Sequence, residues 1–274
     1  MKGAGFKATK NRKEESIMTS KTFRIALTIG FASFVFSSAA WAAPCSNASL
    51  SGTYGLLAGG TDKAGQPTTH VSQLTFDPTT GTYAGEDTAS HDGVINTMPV
   101  TGTYAVGSNC IVAAMALGES IPIVLTSRGF FNINQTTGVT AEGFAVKQGS
   151  PTCTNDGVEG RFGFETSGVF VTGAPATGPV AFIGELRLAV NSSGEGVISG
   201  RIAASEDGTI LTFADEPVTG SYKVDKDCRG TATIAPKGQS ELHFSFVVVD
   251  CGKEMLAVET DADTIVSGTL MKND

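Results

Sequence analysis

The sequence predicts an all-β protein built as two tandem, small, antiparallel eight-stranded up-and-down β-barrels. Three observations predict it. A diverged repeat divides the chain, short segments of alternating polarity fill each half, and no amphipathic helix of useful length is found. Eight antiparallel strands in sequence either close into a barrel or split into a sandwich, so two β-sandwiches are the alternative architecture. Regular neighbour-to-neighbour spacing favours closure, because a Greek key needs longer crossovers.

The repeat is clearest where Pro99-Val-Thr-Gly-Thr-Tyr-Ala-Val-Gly-Ser-Asn-Cys110 is set beside Pro217-Val-Thr-Gly-Ser-Tyr-Lys-Val-Asp-Lys-Asp-Cys228, with seven of twelve positions identical. Further anchors follow in the same order: Cys45 with Cys153, Gly52-Thr-Tyr-Gly55 with Gly160-Arg-Phe-Gly163, Gly85 with Gly200, Asp92-Gly93 with Asp207-Gly208, and Gly143 with Gly268. The offset grows from 108 to 125, as small loop insertions would make it. Residues 43–149 are the first β module and 150–274 the second, with a turn-rich break near Gln148 to Pro151. Each half holds a full set of strand segments and a cysteine pair, and is expected to fold around its own core.

Read as a strand, the shared motif puts Val100, Gly102, Tyr104 and Val106 on one face. Val218, Gly220, Tyr222 and Val224 occupy the same face of the second copy. The other face is Thr101, Thr103 and Ala105, or Thr219, Ser221 and Lys223, which is the pattern of a half-buried strand with an aromatic in the core. In the second copy eight segments follow one another: 158–165, 180–190, 196–204, 218–224, 230–234, 241–249, 255–259 and 265–271. Turn chemistry at Ser193 to Gly196, Glu206 to Gly208 and Asp225 to Asp227 separates them. The stretch Cys110 to Leu117 has helical propensity, but its counterpart from Cys228 carries a glycine and two threonines, so both are read as strands.

These motifs, a Cys…Gly-x-Tyr/Phe-Gly opening, a central Pro-Val-Thr-Gly-x-Tyr-x-Val-x-x-x-Cys and Ser-Gly-Thr before the last strand, resemble a group of uncharacterised bacterial secreted proteins that usually carry the pattern once. The architecture is also loosely similar to the calycin and allene-oxide-cyclase-like barrels. No functional residue of those families has a counterpart here, so the resemblance implies a fold and not an activity.

The N-terminal segment reads as a signal peptide over residues 1–42. A basic stretch precedes the 12-residue apolar run Ile25 to Phe36, and small residues and Ala40-Trp41-Ala42 follow it. That run is well short of the roughly 20 residues of a membrane-spanning helix. Residues 1–17 are an extended n-region or precede a start at Met18. Pro44, not a small residue, precedes Cys45, which makes Cys45 a disulfide half and not a lipid anchor. The mature protein is therefore expected to be secreted or periplasmic, with no membrane span. Of 19 basic and 27 acidic residues, 7 and 2 lie in 1–42, which leaves 12 and 25 and a formal charge of −13. Such a surface repels phosphate backbones, and nucleic acid is excluded as a partner. Glycine at 34 of 274 residues, against the usual ~7%, fits many turns.

Five cysteines in an exported chain imply disulfides. The position-matched pairs are Cys45 with Cys110 and Cys153 with Cys228, each tying the opening strand to the turn after the tyrosine strand. Cys251 has no counterpart and is read as a free thiol in a strand-to-strand turn beside Lys253. His70, His91 and His243 do not recur between copies, and no zinc spacing exists among them. Glu259, Asp261 and Asp263 alternate, but the glycine and glutamate of an EF-hand are missing, so they are read as solvated strand ends. No local pair of carboxylates, Gly-x-Ser-x-Gly or dinucleotide motif is present. Asn47, Asn134 and Asn191 head glycosylation triplets and are expected to be unmodified.

The sequence thus nominates no catalytic residue, no metal ligand and no cofactor, and its inward positions read as mostly apolar. The leading functional reading is an exported, non-enzymatic binding or surface-structural protein whose loops or outer faces meet an extracellular or cell-envelope partner. Duplication supports it, because two weak sites on one chain gain avidity. The alternatives are a carrier or isomerase with a small apolar ligand inside a barrel, and a secreted hydrolase with dispersed carboxylates.

Overall fold

The computed structural model describes residues 44–116, 119–134, 137–149, 153–171, 178–211 and 217–273. The signal peptide read over 1–42, and residues 150 and 151 of the expected break at 148–151, lie outside the described residues. The first barrel comprises β1 (Gly52–Thr61), β2 (Pro67–Asp77), β3 (Thr82–His91), β4 (Val94–Val106), β5 (Ile111–Ala116), β6 (Glu119–Leu125), β7 (Gly129–Asn134) and β8 (Thr140–Lys147). Each strand pairs antiparallel with the next, and β8 returns to pair with β1.

The second barrel comprises β9 (Gly160–Phe170), β10 (Gly178–Val190), β11 (Gly196–Glu206), β12 (Thr209–Leu211), β13 (Pro217–Val224), β14 (Arg229–Pro236), β15 (Leu242–Val249), β16 (Glu254–Glu259) and β17 (Thr264–Lys272). Strands β10, β9, β17, β16, β15, β14, β13 and β11 pair in that order, and β11 closes on β10. Strand β12 pairs only with the end of β11, where β3 of the first barrel has the continuous β4. The protein is therefore two closed, eight-stranded antiparallel barrels. Helical propensity at Ile111 to Ala116 yields to tertiary pairing, since a strand there buries Val112 and Ala114 between β4 and β6.

The motif alternates as its pattern requires: Tyr104 and Tyr222 are buried, while Thr101, Thr103, Thr219 and Ser221 are exposed. The hairpin tips Asp92-Gly93 and Asp207-Gly208 have positive φ at both residues (49° and 76°; 45° and 76°), the conformation of tight strand-to-strand turns.

One end of each barrel is plugged in the same way. A short 3₁₀ turn, Asn47–Ser49 or Asp156–Val158, precedes the first strand and tucks Leu50 or Val158 under the barrel, each almost fully buried. The Tyr104 hydroxyl donates to the Leu50 carbonyl (2.8 Å), and that of Tyr222 to the Asn155 carbonyl (3.0 Å). The amides of Val106 and Val224 donate to Asn47 Oδ1 (2.9 Å) and Asn155 Oδ1 (2.8 Å). Burial, and then the charges of Glu159 and Asp156, push the Tyr222 pKa up to about 12, so the hydroxyl stays a donor. Disulfides join Cys45 to Cys110 and Cys153 to Cys228, with Cα atoms 5.1 and 4.9 Å apart. They hold the segment ahead of the opening strand, not the strand itself, to the turn after the tyrosine strand.

Each barrel has an apolar core at this plugged end. The first gathers Tyr54, Leu74, Phe76, Tyr83, Tyr104 and Phe130, with Phe76 edge-on to Tyr54, Tyr104 and Phe130. The second gathers Phe162, Leu186, Ile198, Tyr222, Phe246 and Met255. A third cluster lies between the barrels, where Leu57, Val71 and Val146 of the first meet Val247, Val249, Leu256 and Val258 of the second. Each such side chain contributes up to roughly 1.5–3 kcal/mol. Ion pairs from Arg128 to Glu254 and from Arg229 to Glu86 flank it.

Candidate functional site

Parity along β2 places Thr68, His70 and Ser72 on the same face as the core residues Leu74 and Phe76, so they point into the first barrel. On β3 the same rule turns Asp87 inward with Tyr83, and the register sets Asp87 opposite Ser72. The inward side of this half of the barrel is thus polar, where the sequence reading expected mostly apolar positions.

The polar groups form one connected network. His70 Nδ1 lies 2.9 Å from Asp87 Oδ2, His70 Nε2 lies 2.9 Å from Thr68 Oγ1, and Ser72 donates to Asp87 Oδ1. Asp87, Ser72 and Thr68 are buried, whereas the His70 side chain is 34% exposed. Side by side from His70, the register runs through Ala58 and Gly143 to Asn132. Asn132 Oδ1 is buried with no hydrogen-bond partner among the described residues. The two residues between are small, and Asn132 Oδ1 packs over Gly143, 2.9 Å from where a Cβ would stand.

Strand length explains why this end is open. Strands β2 to β4 run for 10 to 13 residues and β5 to β7 for only 6 or 7. Strands β6 and β7 pair through three residues alone, Ile123 to Leu125 with Asn132 to Phe130. Ala58, Gly60, Asn132 and Ala141, although inward, stay half exposed, so solvent enters by the mouth. Polar pairs edge it: His91 Nε2 with Asp62 Oδ2 (3.0 Å) and Gln66 Nε2 with Asp92 Oδ2 (2.8 Å).

The second barrel has the same backbone and, at the positions of this network, opposite chemistry. Through the register, Thr68, His70, Ser72, Asp87 and Asn132 match Val180, Phe182, Gly184, Ile202 and Ala257. Its closed interior leaves a void of about 40 Å³, room for little more than water. Its mouth is a mainly apolar bowl of about 220 Å³ lined by residues such as Phe170, Phe182, Ile202 and Leu242.

The other sequence candidates do not converge. Glu259 is not solvated: it points into the second barrel, is 1% exposed, and neither carboxylate oxygen has a hydrogen-bond partner among the described residues. Burial first, and then the Asp261 charge, push its pKa up to about 8, with Thr264 pulling weakly the other way. Asp261 instead binds His243, at both its backbone amide (2.8 Å) and Nδ1 (2.7 Å), and Asp263 sits in a turn whose amide meets Gly93 of the first barrel. Cys251 is an exposed free thiol in the turn between β15 and β16. Gly102, Tyr104 and Val106, like Gly220, Tyr222 and Val224, serve the plug and core. Sequence reasoning missed Asn47 and Asn155, although both stand two residues after a matched cysteine.

Fold and site together define a tandem double β-barrel with one polar and one apolar mouth. No protein-family model matches the chain, and no curated protein is significantly similar to it. Among solved structures it is similar to a protein of unknown function of the DUF3598 family from Nostoc punctiforme, at 9% identity and a TM-score of 0.25, over 82% of this chain and 97% of that one. It is also similar to a β-barrel-like protein of the DUF1849 family from Brucella abortus, at 11% identity and a TM-score of 0.18, over 81% and 96%. Among the described residues no helix is long and apolar enough to cross a membrane.

Proposed function

We propose that the chain is an exported, non-enzymatic binding protein, and that the mouth of the first barrel holds a small polar ligand. The observation that carries the reading is the contrast at matched positions: His70, Ser72 and Asp87 face inward where the second barrel has Phe182, Gly184 and Ile202. Buried polar groups cost stability unless paired, so a wall that keeps them where an apolar wall is available points to a use. A ligand that meets the half-buried Asn132 side chain and the exposed edge of His70 fits the wall. The leader-like order of residues 1–42 and the two disulfides support export.

Thr68, His70 and Asp87 have the connectivity of a nucleophile, a base and its orienting group. Thr68 is only 7% exposed and the Ser72 hydroxyl is spent on Asp87, so neither hydroxyl is presented to a substrate. Binding therefore fits better than acyl transfer. In NMR spectra of the mature chain, the His70 and Asn132 side-chain signals are expected to move with one or more members of a panel of free amino acids, monosaccharides and dicarboxylates. The H70F/S72G/D87I variant should be silent. A panel that moves nothing in the first barrel, or moves the variant equally, refutes the reading.

A further inference from the structure

The interface between the barrels is asymmetric, and each barrel owns both of its surfaces. The second barrel contributes the outer faces of β15 and β16; the first contributes those of β1 and β2, with Val146 of β8. Through the register, Val247 and Leu256 match Val124 and Phe131, while Gly55, Leu57 and Val71 match Gly163, Glu165 and Ile183. Among the described residues, one donor surface and one receiving surface are left unused.

The unused donor surface is apolar. Ile111, Val124, Phe131 and Phe144 stand in direct register across β5 to β8, and the row runs on through Leu57 into the buried interface. Ile111, Val124 and Phe131 are 49, 52 and 59% exposed, whereas Val247 and Leu256, at the positions of the last two, are 2 and 0% exposed. The unused receiving surface is a cleft of about 590 Å³ on β9 to β11 and β17, whose lining includes Gly163, Ile183, Ala203 and Met271.

The glycines supply an independent observation. A Cβ on Gly55 would run into Val249 and Val247 at 2.6 and 2.9 Å, so the internal interface requires a glycine there. At the matched Gly163 the backbone φ is ordinary and a Cβ would meet only Asn273, at 3.6 Å. Nothing among the described residues needs that space, but an incoming valine in the place of Val247 does.

We propose that the mature chain associates head to tail with further copies of itself. The β6–β7 face of one copy's first barrel, Val124 and Phe131, docks in the cleft beside Gly163 and Ile183 of another copy's second barrel, repeating the internal interface. Such a contact is heterologous, so it propagates into a filament, or closes into a ring if the rotation permits. Glu165 stands where Leu57 does, and the copies carry like charge, so the contact is weaker than the internal one and is strengthened by salt.

Sedimentation and light scattering of the mature chain test this. Mass should rise with concentration, and rise further at high salt. Phe131→Glu and Ile183→Glu alter exposed side chains, so both should fold with unchanged circular dichroism, and each alone should stop growth. Mixed together they should form a one-to-one dimer and nothing larger, because each supplies the surface the other lacks. Gly163→Val should behave as Ile183→Glu does. A chain that stays monomeric at the highest concentration reached overturns the proposal, as does assembly that survives both glutamate variants or a mixture that gives no dimer.

Discussion

The two barrels are alike at the plugged end and unlike at the mouth. At the plug, asparagine, tyrosine and cysteine repeat one for one, and so do the strand-amide bonds to the asparagines, while the tyrosine hydroxyls differ in acceptor, Leu50 in one barrel and Asn155 in the other. At the mouth, an inward histidine, serine and aspartate in the first barrel face a phenylalanine, glycine and isoleucine in the second. The shared end fixes the fold, and the divergent end is where the copies are free to acquire different tasks. Apolar mouth residues stabilise by burial, while polar ones do so only if every member of the network is partnered.

The largest effect expected from breaking this contrast is at Glu259, an acidic group deep inside the apolar barrel. Its pKa in the fold, about 8, lies above the ordinary carboxyl value of 4.5, so between those values the native state binds more proton than the unfolded chain. Stability should fall as pH rises through that window, by at most on the order of 5 kcal/mol. Glu259→Gln should leave stability at pH 5 nearly unchanged and raise it at pH 9, in urea unfolding at the two pH values. A parent protein equally stable at both would remove the buried carboxyl from the account.

Converting one mouth to the other should have the next largest effect. Asp87→Ile alone leaves Ser72 and His70 without their acceptor and should cost roughly 1–3 kcal/mol. The triple variant H70F/S72G/D87I copies the matched wall of the second barrel and should recover most of that loss. Thermal unfolding compares the two, and a triple variant less stable than the single one would mean that the walls are not interchangeable.

The smallest effect tests the likeness. Asn47→Ala and Asn155→Ala each remove one acceptor from a strand amide, and each should cost about 1 kcal/mol. Equal losses are expected in chemical denaturation, while a loss confined to one barrel would show that the plugs are equivalent in geometry only.

Much of the fold was legible because it rests on local pattern: the Tyr104 and Tyr222 strands alternate cleanly, and the copies correct each other where propensity misleads at Ile111 to Ala116. The polar mouth was not, because it depends on register. Thr68, His70 and Ser72 share parity with Leu74 and Phe76, which the sequence displays, but Asp87 joins them only through the pairing of β2 with β3, 15 to 19 residues on. Glu259 shares parity with Met255 and Ala257, yet a run of alternating carboxylates suggests solvent more strongly than a buried strand end. The interface left one trace, the unbroken apolar run Val247-Val248-Val249, which is buried on both faces of its strand.

The plugs also bear on the order in which the molecule is made. The two disulfides are consecutive along the chain, 45 with 110 and then 153 with 228, never interleaved. On the export route proposed above, a polypeptide threading N-terminus first into an oxidising space shows Cys45 its native partner before any other thiol has emerged. Cys153 likewise meets Cys228 before Cys251 appears. Chronology alone then selects the right pairing, and the first cork can be sealed while the second barrel is still in transit.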